Sequence, residues 1–137
     1  MIQLDFAKIL KKLNGVNFPE VDLVVGIETG GMVPASLIAY KLGKDLRLIS
    51  INYRDEKNHP RYDHPRVLKP WRLPSGVKKI LLVDDVSVTG ETLKAAQKML
   101  KPCKVVTFVL LGKADFVLFP KIRECVDWPW KLLRRSI

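Results

Sequence analysis

Two kinds of hydrophobic pattern alternate along this chain. Short, mainly apolar runs predict strands over 21–27, 46–52, 80–84 and 105–111. The run 80–83 is too short for a helix and uninterrupted, as suits a strand buried on both sides. Between them lie residues at helical spacing. Ile2, Phe6, Ile9 and Leu13 share one face of a first helix, which Asn14 and Gly15 would end. Val33, Leu37 and Tyr40 mark a second, with Pro34 tolerated in its first turn and Gly43 at its end. Leu93, Ala96 and Leu100 mark a third, stopped by Lys101 and Pro102. Strands alternating with helices predict a three-layer α/β/α fold around a mainly parallel, five-stranded sheet. At 137 residues, a single domain covering 1–137 is the expectation, and no internal repeat is visible.

In parallel sheets of this kind, ligands bind at the carboxyl ends of the strands. Three segments meet that rule: Glu28, Thr29, Gly30 and Gly31; the stretch from Tyr53 onward; and the run 84–92. The last is the richest in chemistry. The apolar residues 80–83 end in Asp84 and Asp85, followed by Val86, Ser87, Val88, Thr89, Gly90, Glu91 and Thr92. Backbone N–H groups at a helix start lack internal partners, and the helix dipole adds positive charge there. A phosphate fits such a turn, with hydroxyl donors from Ser87, Thr89 and Thr92. Gly90 lets the backbone turn tightly. Asp84 and Asp85 would repel a phosphate, so they suit sugar hydroxyls or the water shell of Mg²⁺.

Composition changes this picture in a few places. The chain carries 24 basic and 14 acidic residues, a formal net charge of +10. That balance favours anionic partners, either nucleic acid or a polyphosphorylated small molecule, without choosing between them. Cys103 and Cys125 form no C-x-x-C pair, so a reducing, cytoplasmic setting is expected. No apolar run approaches membrane-spanning length, and no signal peptide is expected at the N-terminus.

Two accessory segments interrupt the pattern. Residues 53–76 hold four prolines, His59, His64, six Lys or Arg and three Asp or Glu. A loop this long is unusual unless it has a role. A basic lid over an anionic ligand and a plain surface excursion both stay open. The two histidines read as solvated rather than as metal ligands. The tail contains Asp127, Trp128, Pro129 and Trp130, then Lys131, Arg134 and Arg135. Its aromatics could stack on a flat base, anchor the terminus or fill a subunit interface. The basic end reads as a solvated face.

The run 81–92 resembles the 5-phosphoribosyl-1-pyrophosphate (PRPP) signature of the type I phosphoribosyltransferases. Residues 26–35 are similar to that family's pyrophosphate loop and following helix. Asn52 and Tyr53 fall where its mobile hood begins. Lys113 and the Pro129-Trp130 ending resemble the short xanthine-guanine or hypoxanthine-guanine branch. The likeness covers roughly 21–130.

What the resemblance implies is Mg²⁺-dependent transfer of a 5-phosphoribosyl group from PRPP to a 6-oxopurine, in purine salvage. By it, Asp84 and Asp85 bind the ribose hydroxyls with Mg²⁺ nearby, and residues 86–92 hold the 5′-phosphate. Glu28, Thr29, Gly30 and Gly31 face the pyrophosphate. Tyr53 and Arg54 act from a hood formed by 53–76 and the tail. Lys113, Cys125, Val126 and Trp128 surround the base. PRPP and a purine base are the expected partners, in a homodimer or larger assembly, with neither membrane nor nucleic acid. The alternatives are a PRPP-sensing, RNA-binding regulator on the same fold, or a transferase with a non-purine acceptor.

Overall fold

A computed structural model describes residues 1–52, 66–67 and 71–131. In chain order the elements are β1 (Ile2–Gln3), α1 (Phe6–Asn14), β2 (Leu23–Glu28), α2 (Met32–Leu42), β3 (Asp45–Asn52) and β4 (Arg66–Val67). They continue with β5 (Lys79–Ser87), α3 (Glu91–Met99), β6 (Lys104–Gly112), β7 (Phe116–Val117) and β8 (Val126–Asp127). The main sheet runs β4-β3-β2-β5-β6-β7. Five strands are mutually parallel, and β4 adds an antiparallel edge on β3.

Alternating side chains divide the core into two layers. Val24, Leu81, Val83, Phe108 and Leu110 face α1 and α2, where they meet Ile9, Leu13, Ala35 and Ile38. Leu23, Val25, Ile80 and Leu82 face α3 and meet Leu93, Ala96 and Leu100. The central strands are therefore apolar on both faces, which is why their sequence shows runs rather than alternation.

Local chemistry sets the helix ends. Asp5 caps α1 by accepting the Lys8 N–H at 2.7 Å. Gly43 closes α2 with φ of 65°.

The structure departs from the sequence pattern in several particulars. Ile2 is not helical. It pairs with Val126 in a parallel two-stranded ribbon, and its N–H donates to the Cys125 carbonyl at 3.0 Å. The helix therefore begins only after Asp5. The second helix buries Ala35, Ile38 and Ala39, while Tyr40 is 91% exposed. Small alanines let α2 lie close to the sheet, so they, not the bulkier residues, mark its inner face. The fifth parallel strand is β7, whose two residues are too few to show a period. β5 continues three residues beyond Asp84, because β6 pairs with it as far as Ser87 and Gly112. β4 falls inside the segment expected to be loop; of the proposed hood, 53–65 and 68–70, with Tyr53, Arg54, His59 and His64, lie outside the described residues.

The end of the β5–β6 pairing is tight. A Cβ on Gly112 would run into the Ser87 carbonyl, and φ there is +104°. Gly112→Ala should cost roughly 3 kcal/mol or more in urea unfolding, because strain and collision act together. Gly43→Ala meets no atom within 4 Å and should cost only about 1 kcal/mol for its left-handed φ. Equal costs would show that the Gly112 approach is not tight in solution.

Candidate functional site

A cleft of about 1110 Å³ opens at the carboxyl ends of the parallel strands. Its walls come from the ends of β2, β3, β5 and β6 and from the segment 119–131. Asp84, Asp85, Val86, Ser87, Val88, Thr89, Gly90, Glu91 and Thr92 all line it, together with Glu28, Thr29, Lys113, Cys125, Val126 and Trp128. Gly30 and Gly31 sit behind the wall. A Cβ on Gly30 would overlap the Asp85 carboxylate, so glycine there lets the 28–31 loop rest directly against the acid. The Glu28–Thr29 peptide is cis.

The two acids differ in environment. Asp84 is buried at 8% exposure, and its Oδ1 accepts the Asp85 N–H at 2.8 Å. Burial, then the charge of Asp85, holds the Asp84 carboxyl well above the usual carboxylate range. The Asp85 N–H and the Lys131 ammonium pull the other way. Asp85 Oδ1 accepts the Val86 N–H at 2.7 Å, and its Oδ2 lies 3.8 Å from Lys131 Nζ. Lys131 therefore faces the acids instead of forming part of a solvated basic end; Arg134 and Arg135 lie outside the described residues. Glu28 accepts the Ser50 hydroxyl across the β2–β3 register, which turns it sideways along the strand ends.

The turn after β5 presents the start of α3. Gly90 is the N-cap, with φ of 85° and no capping side chain. Thr89 Oγ1 accepts the Glu91 N–H at 3.3 Å. Val88 is 59% exposed at the rim. The N-terminal turn of α3 is thus directed at the cleft with most of its donors uncapped by side chains.

At the other end, the Lys113 N–H donates to the Ser87 carbonyl at 2.8 Å, which fixes its side chain to leave from the cleft wall. Cys125 is exposed and Val126 is held in β8. Trp128 is fully buried and stacks on Trp130, with centroids 5.4 Å apart and rings 5° from parallel. Its face therefore meets Trp130 instead of standing free in the cleft.

Sequence reasoning missed Ser50, Phe119, Ile122, Arg123 and Lys131, all of them in the lining. Ser50 could have been found from its place at the carboxyl end of a strand; the others come from irregular chain whose path no periodicity reveals. Among the described residues, no group of three or more His, Cys, Asp and Glu converges to form a metal cage.

Residues 2–131 match the family model described as "Phosphoribosyl transferase domain". The orotate phosphoribosyltransferase of Sulfurisphaera tokodaii is 38% identical over 93 residues, covering 68% of this chain and 42% of that protein. The transcriptional regulator GfcR 2 of Methanosarcina barkeri is 35% identical over 82 residues, covering 60% of this chain and 39% of that protein. The Helicobacter pylori xanthine-guanine-hypoxanthine phosphoribosyltransferase superposes with a TM-score of 0.80 at 18% identity, over 98% of this chain and 96% of that one. This last likeness is one of fold. The chain spans less than half the length of the two curated relatives. With the model matched from 2 to 131 and the acids, turn and glycine loop gathered in one cleft, the chain belongs to the phosphoribosyl transferase domain family.

Proposed function

We propose that the chain transfers the 5-phosphoribosyl group of PRPP to a ring nitrogen of a 6-oxopurine (hypoxanthine, guanine or xanthine) and releases pyrophosphate. The supporting observation is that one cleft gathers the acid pair Asp84 and Asp85, the open helix-start turn, and the glycine loop pressed against Asp85. The turn, with hydroxyls from Ser87, Thr89 and Thr92, suits the 5′-phosphate. The acids would accept hydrogen bonds from the ribose hydroxyls. The loop of Glu28, Thr29, Gly30 and Gly31 would face the pyrophosphate.

Mg²⁺ fits this donor set. Asp84 and Asp85 offer hard oxygens, too few for a protein-only cage, and Mg²⁺ commonly binds through one or two carboxylates with waters and substrate phosphates. Bound there, the ion would neutralise charge on the departing pyrophosphate. The protein's own share is positioning and fixed electrostatics around an oxocarbenium-like centre, with water kept out. Tyr53 and Arg54 would contribute from the hood. Lys113 would offer its ammonium to an exocyclic oxygen of the base, with Cys125, Val126 and Trp128 framing that end. Support for a 6-oxopurine is Lys113 and the fold likeness to the Helicobacter enzyme. The proposal includes a homodimer or larger assembly working in the cytoplasm.

A second reading, a regulator that senses PRPP or nucleotides, draws on the likeness to GfcR 2 and the net charge of +10.

Pyrophosphate release is expected from PRPP and Mg²⁺ with one or more of hypoxanthine, guanine and xanthine, and not with adenine, orotate or uracil. Release with orotate alone would keep the transferase and discard the purine. PRPP binding without release from any base would favour the regulator. Asp84→Asn combined with Asp85→Asn should lower turnover by at least about 100-fold while the protein still folds, as judged by an intact thermal transition. Unchanged turnover would remove these residues from the site.

A further inference from the structure

The pole opposite the cleft is basic in a way the transferase reading leaves unused. Parallel strands put all their amino ends on one side, and lysines crowd there. Lys79 opens β5 and Lys104 opens β6, directly opposite one another in the register. Lys78 precedes β5, and its carbonyl accepts the Lys104 N–H at 2.9 Å. Lys44 precedes β3, close enough to Asp22 to act on its charge, as Lys78 does. Lys41 lies in the last turn of α2, and Lys101 follows the end of α3. Five of these six are exposed and Lys79 is half-buried. Among the described residues none of the six is in an ion pair.

Two acids lie in this row. Asp45 opens β3 and is exposed. Asp22 is committed to the backbone, accepting the N–H groups of Lys78 and Lys79 at 2.9 Å each.

Helix dipoles explain only part of this cluster. Cations at helix carboxyl ends are stabilised, which accounts for Lys41 and Lys101. Strand starts carry no comparable field, so Lys44, Lys78, Lys79 and Lys104 have no such reason to gather. Neighbouring strands stand about 4.8 Å apart, so the lysines form a close row across the sheet end. Tyr40, 91% exposed on the last turn of α2, stands free beside them.

We infer that this pole is a binding surface for the phosphate backbone of a nucleic acid, separate from the cleft. The row of lysines supplies sequence-independent attraction to a regular array of phosphates. A membrane surface fits less well, because interfacial binding needs a buried apolar face and, among the described residues, this pole offers only Tyr40. Asp84 lies five residues along β5 from Lys79, which sets the surface about 17 Å from the acids of the cleft, so both can be occupied at once. The inference reverses the expectation that the chain has no nucleic-acid partner, and it stands whichever base the cleft accepts.

The test is fluorescence anisotropy with a fluorescein-labelled 24-base-pair duplex, titrated from about 50 to 200 mM salt. The double variant Lys44→Glu/Lys104→Glu should bind at least tenfold more weakly than the parent. It should flatten the slope of log affinity against log salt by about 2, close to 0.9 per lost phosphate contact. Its thermal transition and its PRPP binding should stay unchanged. The charge-matched control Lys8→Glu/Lys121→Glu should bind like the parent. Equal weakening in both variants would reduce the effect to net charge and overturn the inference. So would absence of binding to the duplex at the lowest salt, or binding to vesicles of anionic phospholipid in its place.

Discussion

The divide between β2 and β5 is the constraint on which the rest of the structure depends. From β2 the chain crosses through α2 to β3 on one side, and from β5 it crosses through α3 to β6 on the other. The two crossovers lie on opposite faces of the sheet, so the loops leaving β2 and β5 diverge and open a crevice between them. Pairing of β2 with β5 stops at Gly26 and Val83, one residue before the acids. Asp84 thus becomes the first residue of β5 without a neighbour on that side, while β6 still holds it on the other. The position of the site follows from the order of the strands, and its sharpness from where one ladder stops and the other continues.

The strands and the acid-and-hydroxyl run were legible because each is written locally. The inner strands are mainly apolar, the run 80–83 without interruption, and the 84–92 run combines charge, glycine and hydroxyls in a few residues. What escaped was decided at a distance. Ile2 has the spacing of a helix, yet Val126 captures it into a strand. β1, β7 and β8 have two residues each, too short for any period to register. Tyr40 fits the pattern of an inner face only when bulk is weighed above closeness; Ala35 and Ala39 win because they let the helix approach Gly26, where a Cβ would lie 2.7 Å from the Ala35 Cβ. Lys131 looked like one more surface cation because nothing in its neighbours reports that the tail folds back over Asp85.

The acid pair also shows that this end of the sheet is not arranged for stability. Burying Asp84 beside a second carboxylate raises its proton affinity, which is to say that the folded chain resists the charge it carries there. An apolar residue would continue the run 80–83 at no such cost. The cost is contained by close donors: the Asp85 N–H on Asp84, the Val86 N–H on Asp85, and the Lys131 ammonium at 3.8 Å. Both acids nevertheless line the open cleft. A local conflict held in place by its surroundings, at the crevice the topology opens, is the physical signature of a site kept for a ligand rather than for the fold.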